Sequence, residues 1–191
     1  MSRSRLLILI GLLGAIMAGK ADANVIGFDF GSSFFKIVLV KPANPFQIVE
    51  NITSKRKTET YLAIGPEDRK FGVDAFNFAT KAPKTTFSQS AFLLGTEFNQ
   101  SEVDSLTSDK FVMNEFVTDE RGLIAYQTFA IKEGDDDTNT TSDKQTFYTE
   151  DIVAQIMGYG RYLAERQAQS QVIDTVLTVP SYFSQEKRRM L

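Results

Sequence analysis

Cysteine, histidine and tryptophan are all missing from this chain of 191 residues, and proline occurs only five times. Without cysteine there are no disulfides and no thiol nucleophile. Without cysteine or histidine there is no imidazole base and no zinc site of the usual kind. Any catalysis is left to carboxylates, lysines, hydroxyls, backbone amides or a hard metal ion. Positive charge is not in excess: 21 Lys and Arg stand against 24 Asp and Glu, a net charge of −3. No basic stripe runs through the chain, which argues against nucleic acid as a partner. What is plentiful is phenylalanine, 16 residues, in a chain that is 42% hydrophobic and 24% charged. That is the profile of a globular chain with material for a substantial core, and its length suits one domain.

Long apolar runs are also scarce. The one at Leu6–Ala18 follows Arg3 and Arg5 and precedes Ala21-Asp22-Ala23. It is short for a membrane span but fits the apolar part of a secretory signal peptide over residues 1–23, cut after Ala23. The alternative is an uncleaved N-terminal anchor. With the signal removed, the chain of residues 24–191 carries a net charge near −5 and needs no membrane.

The stretch Val25–Val40, VIGFDFGSSFFKIVLV, reads as two strands, Val25–Phe30 and Phe34–Val40, joined at Gly31-Ser32-Ser33. Its flanks are β-branched, aromatic or aliphatic and too short for typical helices. Gly31 leaves room for a close ligand. The amides of Gly31, Ser32 and Ser33 then form an anion site of phosphate size, with two hydroxyls beside it. Asp29 would hold a hydrated Mg²⁺ next to those phosphates. The same residues also read as an ordinary hairpin with Gly and Ser in the turn and an aspartate facing water.

Further along, Phe46–Val49 and Tyr61–Ile64 read as strands, with a polar, basic segment between them and a turn at Gly65-Pro66-Glu67-Asp68. Val73–Lys81 and Phe87–Leu94 read as short helices, Phe111–Thr118 and Tyr126–Lys132 as strands. Gly134–Lys144 reads as a solvated acidic loop; its three adjacent aspartates lack the ligand spacing and closing glutamate of a calcium loop. The clearest helix is Thr149–Gln169, with Thr149 as its cap and Ile152, Ile156, Tyr159 and Leu163 along one face. Gly158 and Gly160 suggest close packing there. Val172–Val179 reads as a strand buried on both faces, ended by Pro180, and Ser184 caps a helix over Gln185–Leu191. The chain stops inside that helix, so the sequence reads as an N-terminal piece of something longer. Asn51, Asn99 and Asn139 head Asn-x-Ser/Thr triplets, candidate glycosylation sites, with Asn139 in the polar loop the best placed.

GFDFGSS after a strand resembles the first phosphate motif of the seventy-kilodalton heat-shock chaperone family. VLTVPSYFSQEKRR, about 150 residues later, resembles its strand–proline–helix segment. Between them VKPANPFQIVENITSKRKT, FGVDAFNFATKAPKTT and LLG look like the large endoplasmic-reticulum branch, the hypoxia up-regulated and glucose-regulated large chaperones. The resemblance covers nearly all of residues 24–191.

It implies an α/β, actin-like (ribonuclease-H-like) ATPase fold, of which this chain supplies the first lobe of the nucleotide-binding domain. It implies that Gly31, Ser32 and Ser33 contact the phosphates of ATP or ADP and that Asp29 holds Mg through water. Pro180 and Arg188 match an interdomain relay. The implied protein is an ATP-binding chaperone of the endoplasmic reticulum lumen. Its partners would be unfolded polypeptides and the ordinary luminal chaperone of the family, for which it would act as nucleotide-exchange partner. Three positions depart from the pattern. Ser32 and Ser33 replace paired threonines, and Phe34 replaces a tyrosine. Four residues before Gly95 the ordinary family has a lysine that positions the attacking water and γ-phosphate; this chain has Ala91. Losing that charge implies binding with slow or absent hydrolysis. The competing readings are a self-cycling ATPase, a metabolite kinase on the same fold, and a secreted glycoprotein module without nucleotide.

Overall fold

A computed structural model describes residues 24–42, 44–65, 67–108, 112, 114–129 and 144–191. The expected signal peptide, Asn139 and nearly all of the acidic loop lie outside them.

Alternation of large apolar residues builds the central hairpin. β1 (Asn24–Phe30) buries Ile26, Phe28 and Phe30 on one face, and β2 (Phe34–Val40) buries Phe35, Ile37 and Leu39 on the same face. The strands pair antiparallel from Val25↔Val40 to Phe30↔Phe35. Two short strands, β3 (Gln47–Ile48) and β4 (Thr58–Glu59), add to β2. A second small sheet is made by β5 (Leu62–Ile64), β6 (Arg69–Phe71) and β7 (Thr86–Phe87), with β5 in the middle. Helix α1 (Gly72–Phe78) follows β6 directly. The expected helix over Phe87–Leu94 is shorter than its pattern: Thr86–Phe87 is strand, and only Ser90–Leu93 (α2) is helical. Helix α3 (Gln100–Ser108) is polar with one buried residue, Val103, so no apolar stripe announces it.

A third sheet, β8 (Glu115–Thr118), β9 (Ile124–Phe129) and β10 (Lys144–Tyr148), is an antiparallel meander. It delivers the chain into α4 (Thr149–Ala168). Ile152, Ile156 and Leu163 of α4 are buried, as the spacing predicts. Thr149 is not its cap: it is buried, and its hydroxyl donates to the Ile124 carbonyl at 2.9 Å. The two glycines differ as well. A Cβ on Gly160 would meet the Phe28 ring and lie 3.0 Å from Ile37 Cδ1, while one on Gly158 would meet nothing within 4 Å. Gly160 is therefore the close approach that seats α4 on the central hairpin.

β11 (Val172–Thr178) then runs parallel to β1, from Asn24↔Val172 to Asp29↔Thr178. The central sheet thus has the order β11-β1-β2-β3, with β4 also on β2. β11 is not buried on both faces as its composition suggests. Val172 is buried, but Ile173 and Val176 are 57% and 65% exposed. The last helix, α5 (Gln185–Met190), is capped by Ser184, whose hydroxyl accepts from the Lys187 amide at 3.3 Å.

Candidate functional site

Side-chain alternation decides which face of the central sheet is open. Ile26, Phe28 and Phe30 face the core, so Val25, Gly27 and Asp29 face the other way. Lys36 is the register partner of Asp29 on β2, and Thr178 is its partner on β11. All three are exposed and meet in one row: the Thr178 hydroxyl donates to Asp29 Oδ1 at 3.0 Å, and Lys36 Nζ lies 3.6 Å from Asp29 Oδ2. Phe34, two residues before Lys36, shares this face.

The turn beyond Asp29 is held in shape by its own backbone. The Gly31 amide donates to the Phe34 carbonyl at 3.2 Å. A Cβ on residue 31 would fall 2.6 Å from that same oxygen, so glycine is required for steric reasons. From outside, Thr60 clamps the turn twice. Its amide donates to Ser33 O at 3.0 Å and its hydroxyl to Gly31 O at 2.9 Å. Thr60 is fully buried.

This geometry distinguishes the three turn amides. The Gly31 amide donates within the turn, to the Phe34 carbonyl, whereas the sequence places all three turn amides in one anion site. The Ser32 and Ser33 amides take no backbone or side-chain acceptor among the described residues, and both lie at the hairpin tip, with Ser33 exposed. Two free amides, two hydroxyls and an exposed carboxylate suit a phosphate with a hydrated magnesium ion. Among the described residues no three acidic side chains come together. Asp29 alone would supply the protein oxygen, and phosphate and water the remaining ligands. Thr178 and Thr60, which brace the candidate residues, are not singled out by the sequence. Threonines carry no motif of their own, and only the strand register places them.

The other expected residues lie elsewhere. Ala91 is buried in α2 as part of the core, 6% exposed. Pro180 follows β11, and its carbonyl accepts from the Phe183 amide at 3.1 Å. Arg188 Nε donates to the Phe183 carbonyl at 3.1 Å, so the guanidinium braces the loop before α5. Asn51 is buried, and its Nδ2, the atom a glycan would take, donates to the Lys57 carbonyl at 3.1 Å. Asn99 is exposed; its Oδ1 accepts from the Ser101 amide and hydroxyl. A separate cleft of about 470 Å³ is lined by Arg69, Lys70, Phe71, Asp74, Phe78 and Tyr159, among others. It contains none of the expected phosphate-site residues.

A mixed α/β fragment with an acid and a glycine–serine turn at the end of its central hairpin fits the actin-like class of ATPase folds. The family model described as Hsp70 protein matches residues 25–191, and the chain belongs to that family. Among curated proteins it is similar to hypoxia up-regulated protein 1, at 33% identity in Xenopus tropicalis, 34% in Gallus gallus and 31% in Homo sapiens. Each match covers 93% of this chain but only 26%, 16% and 16% of the respective relative. The chain thus spans about a quarter or less of these relatives.

Proposed function

We propose that this chain is the first lobe of the nucleotide-binding domain of an ATP-binding chaperone. The observation that carries the reading is the make-up of the hairpin tip. The unpaired Ser32 and Ser33 amides lie in the turn that follows Asp29 within three to four residues, Thr60 bonds the turn backbone, and Thr178 bonds Asp29. When bound, Mg-ATP would supply the phosphate charge that these groups are arranged to meet. Family membership and the similar large relatives support action on unfolded polypeptides in the lumen of the endoplasmic reticulum. They also support service as nucleotide-exchange partner to the ordinary luminal member.

The test is titration of the full-length protein with Mg-ATP and Mg-ADP, parent beside Asp29→Asn. Binding by the parent that weakens about tenfold in the variant, and loses its dependence on Mg²⁺, is the expected result. A parent that binds neither nucleotide would return the chain to the glycoprotein-module reading. Hydrolysis is a separate measurement. Slow or absent single turnover by the parent is expected from Ala91, and turnover at ordinary family rates would overturn that reading. The parent is the right subject for this measurement, because a lysine introduced at buried Ala91 also places an ammonium in the core.

A further inference from the structure

On the nucleotide reading above, the open face still needs a cation at the hairpin tip, because phosphate charge accumulates there and Lys36 is already opposite Asp29. We propose that Lys57 is that cation and that it engages the terminal phosphate of ATP.

Lys57 is carried to the tip by strand pairing. The next two residues are β4, in which Thr58 pairs with Phe35 and Glu59 with Phe34. Thr60, one step further, makes the two bonds that clamp Gly31 and Ser33. The backbone of Lys57 is therefore fixed relative to the turn on its C-terminal side. Its own carbonyl is held as well, by Asn51, whose Nδ2 donates to it. Asn51 is itself held, its Oδ1 accepting from the Thr53 amide, the Thr53 hydroxyl and the Lys55 amide.

The side chain reaches the same face as Asp29. Lys57 Nζ lies 4.3 Å from the centroid of the Phe34 ring, and Phe34 shares its face with Lys36 and Asp29. Lys57 is exposed and makes no ion pair among the described residues. An exposed aromatic ring holds an ammonium only weakly, whereas a phosphate oxygen offers a full charge and a hydrogen-bond acceptor. The flexible lysine stem lets the ammonium leave the ring for a phosphate seated on the Ser32 and Ser33 amides. Lys57 thereby brings positive charge to the turn, which Ala91 cannot.

The experiment compares Mg-ATP and Mg-ADP affinities of full-length parent, Lys57→Met, Lys57→Arg and the neighbouring control Lys55→Met, by calorimetric titration. The expected result is about a tenfold loss of Mg-ATP affinity in Lys57→Met, with Mg-ADP affinity changed less than about twofold. Lys57→Arg recovers most of the loss, and Lys55→Met matches the parent. Equal affinities in Lys57→Met and parent overturn the proposal while leaving the nucleotide reading intact. Equal weakening for both nucleotides also overturns it, since the ammonium then serves a phosphate that ADP retains. A parent that binds neither nucleotide removes both readings together. Thermal unfolding of each variant serves as the folding check; Lys57→Gln replaces Lys57→Met if the latter does not fold.

Discussion

Asp119 carries a charge inside the fold. Its side chain is almost wholly buried between β8 and β9, yet it accepts from the Arg121 and Leu123 amides at 2.8 Å and pairs with the Arg121 guanidinium at 2.7 Å. Burial pushes its pKa up, but the Leu123 amide, the Arg121 side chain and the Arg121 amide together outweigh burial and hold it below the usual value of 3.8. A carboxyl depressed in the folded state stabilises the fold above its unfolded pKa, and that contribution is lost as pH falls through the folded pKa. Its share of stability is thus full at neutral pH, begins to fall near the unfolded value of about 4, and is gone only once the pH has dropped below the depressed folded pKa. Asp119→Ala should cost about 1–3 kcal/mol at pH 7 in urea unfolding, with a smaller difference from the parent at the acid end. At the hairpin tip, Gly31→Ala should cost about 1–3 kcal/mol by forcing Cβ against the Phe34 carbonyl, and on the proposed nucleotide reading should weaken nucleotide binding as well. Residue types announced Gly31 and Asp29. They do not convey that the Asn51 triplet doubles as the buried hub of a loop, or that the Gly31 amide donates to Phe34, because both depend on loop and turn geometry.

At the scale of elements, α4 shows what periodicity conveys and what it leaves out. Its apolar face was legible from Ile152, Ile156 and Leu163, because a helix repeats every 3.6 residues whatever it packs on. Which glycine touches the hairpin was not legible, since that depends on the ring of Phe28, more than 120 positions away in sequence. Gly160→Leu should destabilise by about 1–3 kcal/mol through overpacking. Gly158→Ala should stabilise by about 0.5–1 kcal/mol, because its Cβ enters open space on a helix. Chemical denaturation of the two variants side by side checks both signs. Strands of two or three residues, such as β4 and β6, escaped notice because a period of two needs more than one repeat to be seen. β4 matters most among them, since it carries Thr60 and Lys57 to the turn.

In the whole molecule, the central sheet is legible as a hairpin plus a later strand, with the Gly31–Ser33 turn at its tip. The burial of β11 was not, because composition records what a strand is suited to bury and not what lies against it. Ile173 and Val176 stand exposed on opposite faces of a strand that has no neighbour beyond β1 among the described residues. An apolar strand edge of this kind templates association. Residues 24–191 prepared alone should associate with rising concentration in sedimentation velocity, and the double change Ile173→Lys with Val176→Lys should reduce that association without altering the hairpin.

The parallel pair β1–β11 also sets a timetable. Asn24 is the register partner of Val172, 148 positions later. Synthesis runs at about 5–20 residues per second, so β1 waits about 7–30 seconds for this partner. β2 is close in sequence and can close the hairpin within microseconds. A nascent chain thus carries the Gly31–Ser33 turn while one side of β1 is still bare, and Asp29 meets Lys36 long before Thr178 exists to steady it.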